Sequence, residues 1–265
     1  MNPAGPATGD GGRSGGPRLV ARRAGPDGAP SLRVWLGRAG AVTPADRELL
    51  DEPEAARARR LPPGEVRDRY VAARAGVRRL LATELGRPAA EVRWGRHPCP
   101  RCPDPAHGRP RLLGPPAAPE VGVSRSGPWW LLAVAASGGV GVDIEHLPVA
   151  GRESLVRRCF SGAEREWLAA LEPSARAAAL ARGWVRKEAV TKAWGVGVAA
   201  ELRSVEVLAG TWRPGAASGL VTADDGSGWE VSDLVLPPEA GGGPVGGGRP
   251  VAALALPLRT DGLTD

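Results

Sequence analysis

Lysine is nearly absent from this chain. Its 265 residues include only Lys187 and Lys192, although Lys and Arg together number 35. Tyrosine, phenylalanine and methionine occur once each. Apart from Tyr70 and Phe160, aromatic bulk must therefore come from the nine Trp, which are expected in the core or at an interface between lobes. The three Cys are too few, and odd in number, for a disulfide scaffold, which points to a reducing compartment. No apolar run approaches the roughly 20 residues of a membrane span. The N-terminal stretch has no hydrophobic segment of signal-peptide type, so the expectation is a cytoplasmic protein with no membrane partner. The content of 42% hydrophobic and 24% charged residues excludes a wholly disordered chain and leaves material for a sizeable core.

What is present is arginine, glycine and proline. The formal net charge of +6 suits an acidic partner: nucleic acid, a phosphorylated ligand or an acidic protein. Two lysines five positions apart in so Arg-rich a chain mark places where a compact ammonium serves and a planar guanidinium does not. The 38 Gly and 27 Pro are about a quarter of the chain, but they cluster, which predicts a folded body with loose ends. The expected organisation is an unstructured N-terminal tail over 1–30, an N-terminal lobe over 31–138, a C-terminal lobe over 139–258 and a tail over 259–265.

Within these bounds, Ser31–Leu36 alternates as a strand. Thr43 caps a helix expected from Pro44 to about Arg60. A second helix runs from about Gly64 to Leu85 and stops at Gly86. Strands are expected at Glu91–Trp94, Arg111–Leu113, Val121–Ser124, Trp129–Ala135 and Gly139–Ile144. Ser161 and Glu164 form a capping box opening a helix through Leu171, and a long helix follows from about Ser174 to Trp194. Val205–Leu208, Trp229–Leu236 and Val251–Leu256 complete the strands, with a flexible Gly-rich insert from Glu239. Each half thus reads as helices followed by antiparallel strands. The fold class is α+β, with two similar lobes.

Two motifs carry chemistry. In Val140-Gly-Val-Asp-Ile-Glu145, residues two apart share a strand face. Asp143 and Glu145 project together while Val142 and Ile144 enter the core. Paired carboxylates repel unless a cation lies between them, and hard oxygens suit Mg²⁺; the competing reading is a solvated acidic strand end. In Trp184-Val-Arg-Lys-Glu-Ala-Val-Thr-Lys-Ala-Trp194, Trp184, Glu188 and Lys192 run down one helix face. Glu188 could supply a third metal oxygen or act as a base, and Lys192 could neutralise a phosphate; the competing reading is a solvated Glu–Lys pair. Weaker cationic motifs are Arg57, Arg60 and Arg69, Gly108-Arg-Pro-Arg-Leu112, and Val123-Ser-Arg-Ser126.

Gly-Arg-Pro, Val-Ser-Arg-Ser, Gly-Val-Asp-Ile-Glu, Phe160-Ser-x-x-Glu164 and Trp-x-x-Lys-Glu-Ala-x-x-Lys occur here in that order. Over roughly 31–257 the chain resembles the 4′-phosphopantetheinyl transferase superfamily, in its larger, two-lobed type that activates polyketide and nonribosomal peptide synthetases. The resemblance implies transfer of the phosphopantetheine arm of coenzyme A to a serine of an acidic acyl or peptidyl carrier protein, with release of adenosine 3′,5′-bisphosphate. It implies two lobes related by a pseudo-two-fold with a coenzyme A cleft between them, so that a monomer suffices. Asp143, Glu145 and Glu188 match the family's Mg²⁺ carboxylates, and Lys192 matches the lysine on the coenzyme A pyrophosphate. Glu188 is also a candidate for taking the serine proton. Arg109 falls on the basic residue of a Gly-Lys-Pro motif near the nucleotide. Arg69 matches a basic coenzyme A contact, and Arg60 or Arg57 another.

One position departs from the family. Ser124-Arg125-Ser126 stands where Ser-His-Ser is usual, the histidine there helping to hold the 3′-phosphate. Arg125 is permanently charged and able to hold a phosphate bidentately. Two other function classes are weighed beside the transferase. One is a coenzyme A or carrier-protein binding module without catalysis, which only Arg125 supports. The other is a nucleic-acid binder built on the loop with His97, Cys99, Cys102 and His107, which leaves the acidic and lysine motifs unexplained. The same loop offers zinc ligands by type, against a reading as reduced thiols in an ordinary loop. Cys159 is expected in the core and His146 at the surface.

Overall fold

The computed structural model describes residues 16–25, 28–114, 118–146, 153–197, 202–208, 218–241 and 249–258. The first half contains β1 (Arg18–Ala24), β2 (Pro30–Arg38), α1 (Pro44–Glu48), α2 (Glu52–Arg60), α3 (Glu65–Leu85), β3 (Arg93–Arg96), β4 (Pro110–Leu113), β5 (Glu120–Ser126) and β6 (Trp129–Ala135). The second contains β7 (Gly141–Glu145), α4 (Glu153–Cys159), α5 (Gly162–Ala169), α6 (Pro173–Trp194), β8 (Ser218–Thr222), β9 (Gly228–Asp233) and β10 (Val251–Pro257). Every strand pair is antiparallel, in sheets ordered β1-β2-β6-β5 and β7-β10-β9-β8, with β3-β4 as a separate hairpin. The mixture of helices and antiparallel sheets is the expected α+β class.

Strand alternation sorts the core into three layers. On the first sheet Trp35, Val121, Trp130, Leu132 and Val134 face α3, where Ala73, Val77 and Leu81 meet them. The opposite face, with Val34, Leu36, Leu131 and Ala133, packs on Val142, Ile144, Ala252 and Leu254 of the second sheet. The second sheet's outer face, through Val231, Ala253 and Ala255, receives Val185, Ala189 and Ala193 of α6. Both sheets share an order of elements. One strand (β2 or β7) leads through helices to a long one (α3 or α6). An antiparallel pair (β5–β6 or β9–β10) then returns its second strand beside the first. Among the described residues no helix is long and apolar enough to cross a membrane.

Four expectations need correction. Residues 18–24, expected within the tail, form β1; its arginines hide the apolar pattern. Val20 and Ala21 nevertheless pack on the inter-sheet core, and Arg23 donates to both carboxylate oxygens of Glu230 at 2.9 and 2.7 Å. The helix expected over 44–60 is two helices. Asp51 opens a second capping box with Glu54, and Pro53 lacks the N–H a continuous helix would need. The strand expected at 205–208 is irregular and follows a 3₁₀ turn over Leu202–Ser204. Its polar backbone is satisfied by side chains instead of a ladder: Val207 N–H donates to Glu164 at 2.8 Å, and Val207 C=O accepts from Arg186 at 3.1 Å. The strand expected at 91–94 starts at Arg93, after a 3₁₀ turn over Ala89–Glu91. Strand β8 was not anticipated. Residues 1–15, 242–248 and 259–265, where tails and most of the Gly-rich insert were expected, lie outside the described residues.

The two lysines have different duties. Lys187 is fully buried. It is ion-paired to Glu164 at 2.7 Å and donates to the carbonyls of Leu202, at 2.9 Å, and Val205. A compact ammonium with three donors meets these three acceptors, which a planar guanidinium would overfill. Lys192, five residues on and so about 140° round the helix, faces the cleft described below.

Helix α6 reaches β7 because Gly141 has no side chain. A Cβ there would collide with the Ala189 carbonyl and the Ala193 amide of α6. Replacing Gly141 with alanine is expected to lower unfolding free energy by about 1–3 kcal/mol, the usual cost of overpacking, as read by urea denaturation, while Gly162→Ala, where nothing lies within 4 Å, changes it by less than about 1 kcal/mol.

Candidate active site

A cleft of about 1110 Å³ opens between α3, the β3–β4 hairpin, β5, β7 and α6. The alternation of β7 works as the sequence predicts in one respect: Val142 and Ile144 are fully buried on the inter-sheet side. Asp143 and Glu145 take the other face, and both line the cleft. From α6, the stripe Trp184, Glu188 and Lys192 lines the same cleft.

The stripe does not form the solvated Glu–Lys pair of the competing reading. Lys192 ion-pairs with Asp143 at 2.5 Å instead of with Glu188, and it also donates to Ser124 Oγ at 3.1 Å. Ser124 Oγ in turn donates to Asp143 Oδ1 at 2.7 Å and accepts from the Ile144 amide at 3.3 Å. One position along each strand, Ser126 Oγ donates to Glu145 Oε2 at 2.9 Å and accepts from the His146 amide at 3.0 Å. The edges of the two sheets are thus joined by serine side chains of β5 against acids of β7. His146, expected at the surface, is half-buried, and burial lowers its pKa.

Asp143 is only 2% exposed, and burial raises its pKa against the opposing pull of Lys192 and Ser124. Its Oδ2 is buried and has no hydrogen-bond partner among the described residues. Glu188 is also pushed above the ordinary range, first by burial and then by the negative charges of Asp143 and Glu145, with Lys192 opposing. Three carboxylates that feel one another, one with an orphaned buried oxygen, form an all-oxygen donor set of the kind a hard divalent cation takes. They are not drawn tightly together. Among the described residues, Cys99, Cys102 and His107 form the one group of three metal-ligating side chains with all ligand atoms within 4.8 Å.

The far wall is cationic. Arg57, Arg74, Arg96, Arg109 and Arg125 line it. Arg125 lies over the Tyr70 ring at 5.1 Å; its pKa is lowered by burial and then by the neighbouring charge of Arg57. Arg74 is partly offset by Glu54, and Arg109 pairs with Glu120 at 3.2 Å, an oxygen His97 also approaches at 3.0 Å. Of the sequence candidates, Arg109, Ser124, Arg125, Asp143, Glu145, Glu188 and Lys192 all reach the cleft. Arg60 and Arg69 do not line it: Arg60 is exposed at the end of α2, and Arg69 pairs with Glu65. Arg57, the alternative to Arg60, takes that wall. Arg74 was missed; its only sequence signal is its place one helical turn after Tyr70, which an Arg-rich chain obscures. Cys159 is buried as expected.

Residues 139–245 match the model of the 4′-phosphopantetheinyl transferase superfamily. The chain is similar to a Synechocystis sp. protein whose name assigns it provisionally to the 4′-phosphopantetheinyl transferases. The two are 28% identical over 179 residues, or 66% of this chain and 70% of the relative. It is also similar to the 4′-phosphopantetheinyl transferase HetI of Nostoc sp., 32% identical over 162 residues, or 60% of this chain and 64% of that relative.

A raised folded-state carboxylate pKa destabilises the fold where the group must ionise. That cost is full above the folded pKa and vanishes below the unfolded value near 4.5. Glu188→Gln is therefore expected to raise Tm at neutral pH, with the gain closing as pH falls below about 4.5; calorimetry across pH checks this, and a lower Tm at neutral pH would refute the assignment of strain to Glu188.

Proposed function

We propose that the chain is a member of the 4′-phosphopantetheinyl transferase superfamily and that it transfers the 4′-phosphopantetheine arm of coenzyme A to a serine of an acyl or peptidyl carrier protein, releasing adenosine 3′,5′-bisphosphate. The carriers are acidic domains of polyketide or nonribosomal peptide synthetases, attracted to a chain of net charge +6. The observation that carries this reading is a single cleft with a lysine-and-carboxylate cluster on one wall and arginines on the other. Coenzyme A lies in that cleft, between two sheets related by a pseudo-two-fold, and a monomer is sufficient.

Asp143, Glu145 and Glu188 are the residues that would hold Mg²⁺; the orphaned Asp143 Oδ2 and the repulsion felt by Glu188 both fit a cation. When bound, Mg²⁺ offsets negative charge on the pyrophosphate. The rest of the chemistry falls to the chain. Lys192 is half-exposed to the cleft, and its ammonium meets a pyrophosphate oxygen and offsets charge on the departing phosphate. Burial makes Glu188 a better base than an ordinary glutamate, and it takes the serine proton as the serine oxygen attacks phosphorus. Ser124 holds Asp143 and Lys192 in register. Arg125, with Arg57 and Arg74 beside it, holds a phosphate of the nucleotide and replaces the family's histidine there. Arg125 faces the cleft without a carboxylate partner among the described residues, which suits phosphate binding.

Incubation of an apo carrier protein with the chain, coenzyme A and Mg²⁺ is expected to add the mass of one phosphopantetheine arm, by intact-mass spectrometry, and EDTA is expected to prevent it. Asp143→Ala, Glu188→Ala and Lys192→Ala are each expected to lower the rate by about 10²-fold or more while circular dichroism stays that of the folded protein. Full activity in the Asp143 or Glu188 variant would remove the metal assignment. Arg125→His is expected to make KM for coenzyme A rise with pH as the imidazole loses its proton, below or near the ordinary value of about 6.5 because cationic neighbours favour the neutral form. The parent chain is expected to show no such rise from this position.

A further inference from the structure

The transferase reading leaves one cluster of side chains unused. Cys99, Cys102 and His107 lie on the loop joining β3 to β4, and their ligand atoms all fall within 4.8 Å of one another. Cys102 Sγ lies 3.1 Å from His107 Nδ1. Cys99 and Cys102 are not joined in a disulfide. Tetrahedral zinc, with bonds of about 2.3 Å to sulfur and about 2.0 Å to nitrogen, needs such atoms roughly 3.5–3.8 Å apart. That spacing lies between the 3.1 Å separation and the 4.8 Å limit. The soft pair of sulfurs with an imidazole suits zinc and not the Mg²⁺ of the neighbouring cleft.

The loop backbone is shaped for the same end. The His107 amide donates to the Asp104 carbonyl at 3.0 Å. His107 Nε2 lies 3.6 Å from Asp104 Oδ2, an ion-pair distance longer than a hydrogen bond. Asp104 Oδ1 accepts from the Ala106 amide at 2.8 Å, and Asp104 is not one of the three clustered ligands. His97, the fourth candidate by sequence, is drawn off to Glu120.

We propose that Cys99, Cys102 and His107 bind one zinc ion, with a solvent oxygen in the fourth position, as a structural clip separate from the transfer chemistry. The clip ties together a loop that touches both halves of the molecule. Arg101, between the two cysteines, pairs with Asp224 of the β8–β9 turn and lies over the Trp194 ring at the end of α6, 4.8 Å from its centroid. Next to His107, Gly108 adopts φ +95°, and a Cβ there would collide with the His97 carbonyl. The loop therefore closes tightly and delivers Arg109 to the cleft, a consequence that rests on the transferase reading; the zinc site itself does not.

Elemental mass spectrometry of the full chain, loaded with zinc chloride under reducing conditions and then desalted, is expected to find about one zinc per chain. Cys102→Ser and His107→Ala are expected to lower retained zinc at least about tenfold, and Cys159→Ser to leave it unchanged. In case a variant fails to fold, cobalt loading of the parent chain gives a second reading: a sulfur-to-cobalt charge-transfer band with the intense visible absorption of tetrahedral Co²⁺. Absence of stoichiometric zinc, zinc indifferent to Cys102→Ser, a cobalt spectrum lacking the sulfur band, or a Cys99–Cys102 disulfide in place of the metal would each overturn the proposal. Metal content is read without coenzyme A or carrier protein, so its failure and that of the transferase reading are distinguishable.

Discussion

Helix α6 lies against strand β7 at a distance that only glycine permits, and the cleft depends on that approach. The Ala189 carbonyl and Ala193 amide occupy the space a Gly141 side chain would fill. With the two backbones this close, the next residue on the same strand face, Asp143, comes within ion-pairing reach of Lys192. Any side chain at 141 would prise the helix away and leave a buried aspartate without its cation, a costly state in a medium of low dielectric. Small residues on both elements set the spacing, and the charges then occupy the gap it leaves.

Burial works against the charged groups that face the cleft. Asp143 and Glu188 are both held above their ordinary pKa by burial, and Glu188 additionally by two neighbouring carboxylates. Across the cleft Arg125 is disfavoured by burial and by Arg57. Each of these shifted groups costs the fold stability at a pH where it must carry its charge. The internal cations behave differently. Lys187 and Arg186 are spent on Glu164, Asp233 and backbone carbonyls, and they fasten α6 to its neighbours.

Much of this was legible because it is local. Thr43, Ser161 and Gly86 mark helix ends through hydrogen bonds and dihedrals that a few neighbouring residues decide. The period of two in β7 and of four in α6 put the correct residues on the cleft side before any packing was known. Local signals failed where a partner far along the chain decides. Strand β1 looks like a basic tail until it finds β2, and the segment at 205–208 looks like a strand until Glu164 and Arg186 claim its backbone.

The site divides in the same way. Sequence alone determined which acids and which lysine share a face, since helix and strand periods are properties of the backbone. It could not say that Lys192 would choose Asp143 over Glu188, because that depends on how close two elements pack. Nor could it sort one arginine from another in a chain with so many. Arg57, Arg74 and Arg125 converge on the cleft while Arg60 and Arg69 stay outside its lining, and only the placement of α2, α3 and β5 against one another makes that choice. Periodicity assigns a residue to a face; tertiary packing decides what that face meets.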